Sequence, residues 1–276
     1  MRFVFAGAQA LPCRYLAGNV HAECWLTGSE FAWVSLRFEE SGDLVADTKA
    51  AYAELLQRVR PSTHPQLIRI WNYFADINVG DEDAERYRQF CVGRAQAVDA
   101  AFNTPPPAAT AIGTIGDSRS LQIIALCSNR PALALENSRQ TPAWQYPRQY
   151  GKVSPGFSRG ALLNADSAAP VLLASGTASI VGHASMHVDD VAEQCHESLR
   201  NLRALLDEGE THCRAKFNFA ACQALRVYVR EPSHLPIIQA VFEHSDIPAA
   251  NIVFVHGDVC RRELAVELEG VFAGNP

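Results

Sequence analysis

Apolar and polar positions along this chain follow two periods, one helical and one alternating, and the same order of periods occurs twice. Residues 48–59 (TKAAYAELLQRV) predict a helix by composition and apolar spacing. Leu67–Ala75 reads as a strand, residues 83–101 as a second helix rich in Ala, Arg and Gln, and two further strands follow at Ala109–Gly113 and Leu121–Cys127. In the second half a near-continuous apolar strand, Val171–Ala174, leads into a small-residue turn, Ser175-Gly176-Thr177-Ala178-Ser179. Val191, Cys195, Leu199, Leu202 and Leu206 fall three or four apart and predict a helix over Val188–Asp207. Then come a strand at Ala224–Arg230, a short helix at Leu235–His244 started by Pro236, and strands at Ile252–His256 and Glu263–Glu269.

Arg69-Ile70-Trp71 and Arg226-Val227-Tyr228 hold the same place in the two halves. The pattern therefore predicts an α+β protein built by tandem duplication of one unit. Residues 1–140 form the first unit, 166–276 the second, and 141–165 an ordered connection. The stretch 138–160 around that connection combines Pro142, Pro147 and Pro155 with Arg139, Arg148 and Arg159 and with Trp144, Tyr146, Tyr150 and Phe157. A plain linker is poor in aromatics, so this segment is expected to line something. The run Phe3–Leu11 carries Gly7 and Gln9 and reads as a first strand rather than a signal peptide.

At 276 residues, 48% hydrophobic and 20% charged, the composition is that of a folded globular chain. A net charge of −6 argues against a nucleic-acid surface, and no apolar run has the length of a membrane span. The eight cysteines show no CxxC pair; free thiols in a cytoplasmic protein are expected, with no metal site.

Several motifs carry a bland reading. Gly156-Phe157-Ser158-Arg159-Gly160 matches the nucleophile elbow of serine hydrolases, but Pro155 and the polar residues before it make a poor central strand. His183 and His187 beside Asp189 and Asp190 read as polar loop and helix-start residues. Gly113-Thr114-Ile115-Gly116 is too short for a phosphate loop. The last strand carries more. Leu264, Val266 and Leu268 share one face, and Ala265, Glu267 and Glu269 the other. Glu267 is either a solvent-facing strand residue or, if that face borders a pocket, a carboxyl whose burial makes it a general acid. Arg261 and Arg262 stand just upstream to hold a carboxylate.

The second half resembles the Rid (YjgF) superfamily. The resemblance rests on Ser175–Ser179, on Gln194-x-x-Glu197-x-x-x-Asn201-Leu202, on Leu225–Arg230, and on Cys260-Arg261 with Val266-Glu267-Leu268-Glu269. The tandem arrangement, Tyr146-Pro147-Arg148-Gln149-Tyr150-Gly151, Pro155–Arg159 and the block 257–270 narrow it to the chorismatases, which release pyruvate from chorismate in bacterial secondary metabolism. It covers most of residues 60–276; the first 45 have no match.

The resemblance implies two tandem Rid/YjgF-like (chorismate-mutase-like) domains, each a mixed sheet with helices on one face. It implies Glu267 as the catalytic acid and Cys260 as a position that sorts subfamilies. Members with Cys there and Gly at the place of Gly176 form 3-hydroxybenzoate; those with Ala at both are hydrolases giving a dihydroxycyclohexadiene carboxylate, and a third group makes both 3- and 4-hydroxybenzoate. Substrate binding falls to Arg148, Arg159 and Arg261 for the carboxylates, Tyr146 and Tyr150 along the ring, Gly176 and Thr177 in the turn, and Arg226, where the family carries Lys. No metal or organic cofactor is implied, chorismate is the small-molecule partner, and the assembly is a monomer or homotrimer. A Rid-type imine deaminase and a non-catalytic ligand-binding module are the readings outside the family.

Overall fold

The computed structural model describes residues 9–14, 20–102, 105–116 and 119–275, with side chains from residue 26 onward. Of the strand expected at Phe3–Leu11, residues 3–8 lie outside the described residues. The first unit comprises β1 (Gln9–Arg14), β2 (Val20–Thr27), β3 (Phe31–Glu39), α1 (Leu44–Val59), β4 (Gln66–Ala75), α2 (Arg86–Ala97), β5 (Ala108–Thr114) and β6 (Ser120–Ser128). The second comprises β7 (Leu133–Leu135), β8 (Gly160–Leu163), β9 (Val171–Ala178), the small hairpin β10 (Ile180–Val181) and β11 (Ala184–Ser185), α3 (Val191–Thr211), β12 (Cys222–Val229), α4 (Leu235–Glu243), β13 (Ile252–His256), β14 (Asp258–Val259) and β15 (Val266–Ala273).

The duplication is visible in the strand order. The first sheet runs β1-β2-β3-β6-β4-β5 and the second β7-β8-β9-β15-β12-β13, so the two match position for position. In each, one parallel pair, β4 with β5 and β12 with β13, spans a helical crossover in an otherwise antiparallel sheet. One strand breaks the separation: β14, from the second half, extends the first sheet by pairing with Ile112 and Gly113 of β5.

Alternation fixes which face each strand buries. Tyr52, Leu55, Ile70, Phe74 and Phe90 form a core between the first sheet and α1/α2. Leu202, Leu205, Val227, Ile238, Leu268 and Phe272 form another between the second sheet and α3/α4. A third core, with Ile68, Ala108 and Leu126 against Ala161, Leu163 and Leu173, joins the two sheets directly. The layers are therefore helices, sheet, sheet, helices. Asp43 starts α1 by accepting from the Ala46 amide at 3.1 Å, and Asp190 starts α3 by accepting from Glu193 N at 3.0 Å.

Three local expectations are corrected. Ser175–Ala178 is not a turn: it continues β9, and the small residues serve a bulge in which Ser175 and Gly176 together face Glu269. The last strand starts at Val266 instead of Glu263, because Gln194 of α3 binds the preceding segment, donating to Glu263 O and accepting from Ala265 N. Helix α3 lies three to four residues later than its apolar spacing suggested, since Asp189 (φ 71°) turns the chain and Asp190 caps it.

Candidate active site

A cavity of about 520 Å³ opens between the two units. Its walls come from α2, from β5, from the aromatic stretch 146–159, from the β9 bulge and from residues 260–267. Both halves and the connecting segment are thus needed to build it.

On β15, Glu267 and Glu269 point toward the first unit, as the alternation of that strand predicts, and both are 4% exposed. Their surroundings differ completely. Glu269 accepts from Arg69 Nη2 (2.7 Å), Thr110 Oγ1 (2.7 Å), Arg226 Nη1 (2.8 Å), Tyr228 Oη (3.0 Å) and Trp71 Nε1 (3.0 Å). The repeated Arg-x-aromatic motifs of β4 and β12 therefore converge from opposite sides on one carboxylate. Glu267 lines the cavity, and no described residue hydrogen-bonds to its carboxyl. Burial, reinforced by the charge of Glu269 and opposed by Arg69 and Arg159, pushes Glu267 up to about 8, so it is largely protonated at neutral pH. In the first unit the corresponding strand β6 carries Ile124 and Leu126 at these two places, opposite Trp71 and Arg69.

The floor beneath Glu267 is Gly176. Its amide donates to Thr110 Oγ1 at 2.9 Å, which ties the β9 bulge to the first unit, and its α-carbon packs against the Glu267 carboxyl.

Three arginines line the cavity without an acidic partner among the described residues. Arg159 is buried; its Nη2 donates to Thr141 O and to Tyr146 Oη (2.7 Å), and its Nε has no partner. Arg261 lies 4.1 Å over the Tyr150 ring and 5.2 Å from the centre of Tyr146. Its Nη1 donates to His183 O and Ser185 Oγ, while its Nη2 is buried and unpartnered. Arg94 of α2 is the third, and the sequence reading did not single it out. Tyr87 and Cys91 share its helix face, an i, i+4, i+7 spacing that is the one signal for this wall in the sequence. Cys260 also lines the cavity, and burial with the neighbouring Glu267 pushes its thiol well above the ordinary range, so it stays protonated.

The structure thus brings Glu267, Cys260, Tyr146, Tyr150, Arg159, Gly176 and Arg261 together around one cavity. Three other expected residues stand elsewhere. Arg148 points outward and makes a two-pronged ion pair with Asp83. Thr177 is buried, with its hydroxyl donating to Ser175 O. Arg226 is spent on Glu269 and does not line the cavity. Ser158 of the G-x-S-x-G match is buried, donates to Pro106 O and leads into β8 instead of a helix, so it has no elbow geometry. His183 contacts Tyr150 Oη, and His187 contacts Glu197. Among the described residues no group of His, Cys, Asp and Glu is placed to hold a metal, and no helix is long and apolar enough to cross a membrane.

Comparison with known proteins agrees with this architecture. Residues 14–127 match the family model "Chorismatase FkbO/Hyg5-like, N-terminal". A 3-hydroxybenzoate synthase of Streptomyces hygroscopicus is 33% identical over 252 residues, covering 88% of this chain and 74% of the relative. A chorismatase of Streptomyces rapamycinicus is 34% identical over 264 residues, 93% of this chain and 79% of its own. A chorismatase crystal structure superposes with a TM-score of 0.85 at 30% identity, over 96% of this chain and 80% of that one.

Proposed function

The chain belongs to the chorismatase family, and from that premise we propose that it converts chorismate into 3-hydroxybenzoate and pyruvate. The observation that carries the proposal is the pairing of a buried, protonated, unbonded Glu267 with arginines that have no acid of their own, in one cavity.

Chorismate is a dianion with an enolpyruvyl ether beside a ring hydroxyl. Glu267 delivers its proton to the methylene carbon of the enol ether. The ether carbon then becomes electron-poor and the ring C–O bond breaks, releasing pyruvate. The neighbouring hydroxyl oxygen closes on the ring carbon as the bond opens, and its proton returns to the Glu267 carboxylate. The resulting arene oxide opens and aromatises to the phenol. All atoms of chorismate are accounted for by the two products, and no water enters. The neutral Cys260 thiol suits donation to the opening oxide oxygen, as a weak S–H donor and not as a nucleophile. Arg159 and Arg261 hold carboxylate, and Tyr146 and Tyr150, packed on each other with ring centres 5.3 Å apart, wall one side of the substrate ring.

Incubating the protein with chorismate and separating the aromatic products tests this. Equimolar pyruvate and 3-hydroxybenzoate are expected. A mixture with 4-hydroxybenzoate moves the chain to the mixed-product reading, and a dihydrodiol acid alone moves it to the hydrolase reading. Absence of pyruvate overturns the assignment.

A further inference from the structure

The guanidinium of Arg159 is buried and held by neutral groups alone. Its Nη2 donates to Thr141 O and Tyr146 Oη, its Cζ lies 5.1 Å from the centre of the Phe157 ring and 5.6 Å from that of Tyr146, and its Nε has no partner. A carboxyl nevertheless stands beside this residue. Glu136 directly follows β7, where Leu135 pairs with Gly160, so the strand register sets Glu136 against Arg159. Its Oε1 accepts from the Arg159 amide at 3.3 Å, while its Oε2 is buried and, like Nε of Arg159, without a hydrogen-bond partner. Glu136 does not line the cavity, whereas Arg159 does. Among the described residues Arg159 is the one charged group that acts on this carboxyl, and its other polar neighbour is the Ser158 hydroxyl. Burial pushes Glu136 up to about 7, with Arg159 drawing it down, so both protonation states are populated near neutral pH.

An ionised Glu136 and an arriving carboxylate compete for the same buried guanidinium. Two anions around one cation in a poorly solvated wall leave an uncompensated charge, and a proton on one of them removes it. Chorismate stays a dianion across neutral pH, so that proton goes to Glu136. We infer that Glu136 is a positioning residue that couples substrate binding to proton uptake: it holds Arg159 through the amide, balances the guanidinium before substrate arrives, and becomes a neutral carboxyl when a substrate carboxylate takes over that charge. This deepens the chorismate reading and rests on it for the carboxylate that reaches Arg159. The liganded protein then carries more protons than the free protein around pH 7, and binding weakens as pH rises through that value.

Calorimetry of chorismate binding in buffers of different ionisation enthalpy reads the proton directly. Glu267→Gln serves as the parent, because it stops turnover and removes the other cavity carboxyl that binds a proton near this pH. Uptake of up to about half a proton is expected at pH 7, falling toward zero at pH 5, where Glu136 is already protonated. Adding Glu136→Gln abolishes the uptake, and at pH 8 the double variant binds chorismate several-fold, up to about tenfold, more tightly than its parent. A merely structural Glu136 would give the opposite sign, since loss of a supporting contact weakens binding. No uptake in the parent, uptake that survives Glu136→Gln, or weaker binding by the double variant at pH 8 overturns the inference. Should Glu136→Gln fail to fold, Glu136→Asp carries the test: an uptake profile that moves along the pH axis supports the inference, and an unmoved profile overturns it. Wild type titrated with pyruvate and 3-hydroxybenzoate together gives the same readout should Glu267→Gln not fold. Failure of the chorismate reading itself is recognised separately, as wild-type protein that releases no pyruvate.

Discussion

A methyl group placed on the α-carbon of Gly176 falls on Oε1 of Glu267, with Cδ of the same side chain 2.8 Å away. Only glycine at this place lets the carboxyl lie where it does. Gly176→Ala must swing Glu267 toward the cavity, although the β9 bulge itself stays tied by Thr110. Displacing a catalytic group by about 1 Å costs on the order of a hundredfold in rate. Steady-state pyruvate release is expected to fall by that order, with the remaining turnover giving more of the water-added product. An unchanged rate and product would show that the contact has no bearing on catalysis.

Glu267 also predicts how activity and stability depend on pH. Its folded-state value of about 8 lies above the ordinary carboxyl value of 4.5. Across that interval the unfolded chain gives up a proton that the folded chain keeps. Folded stability therefore declines as pH rises through the window, and the decline is complete above about 8. As a general acid Glu267 should likewise lose activity as pH rises through the same value. Glu267→Gln has no proton to lose, so its melting temperature is expected to exceed that of wild type at alkaline pH and to match it below the ordinary carboxyl range. The gain should be at most a few kcal/mol, read from paired melts across pH.

In the proposed mechanism Cys260 acts only after pyruvate has left. Cys260→Ala should retain most pyruvate release while its aromatic output shifts from 3-hydroxybenzoate toward the dihydrodiol acid. The raised thiol also predicts slow alkylation of Cys260 at neutral pH, readable by mass spectrometry. Unaltered 3-hydroxybenzoate output from the variant would remove Cys260 from the mechanism.

Arg69 and Glu269 join the two sheets through a fully buried ion pair at 2.7 Å. Arg69→Met leaves Glu269 with Arg226 as its remaining ion-pair partner, so the variant should lose about 1.5–3 kcal/mol, the size of one charge-assisted hydrogen bond, in denaturant unfolding. Arg69 also holds the Glu267 value down, so the alkaline limb of the pH–rate profile should move upward in this variant.

Arg148 is the contrasting case. Its partner is Asp83 on the surface, and exposed pairs contribute roughly 0–1 kcal/mol. Arg148→Ala is expected to leave KM for chorismate within about twofold, and a larger rise would return it to the substrate-binding set.

Much of this was legible from the chain alone. The duplicated element order, the face shared by Glu267 and Glu269, and the lining role of the 146–159 segment all follow from local periodicity and composition. Even β3 is visible in retrospect, with Ala32, Val34, Leu36 and Phe38 buried at alternate positions. What stayed hidden depends on where separate elements meet. Nothing local to Gly176 says that a strand bulge will place it under Glu267. Nor does the first half announce that Arg69, Trp71 and Thr110 bind a carboxylate about 160–200 positions away. Arg148 and Arg159 look alike in sequence, but one turns to Asp83 and the other inward, a choice made by tertiary packing.

The proposed mechanism requires Glu267 as the proton donor to chorismate. The direct measurement compares wild type and Glu267→Gln on chorismate, following pyruvate and 3-hydroxybenzoate together. Equimolar products from wild type and a loss of about 10²–10⁴-fold in the folded variant are predicted. Wild-type turnover that survives in Glu267→Gln would contradict it.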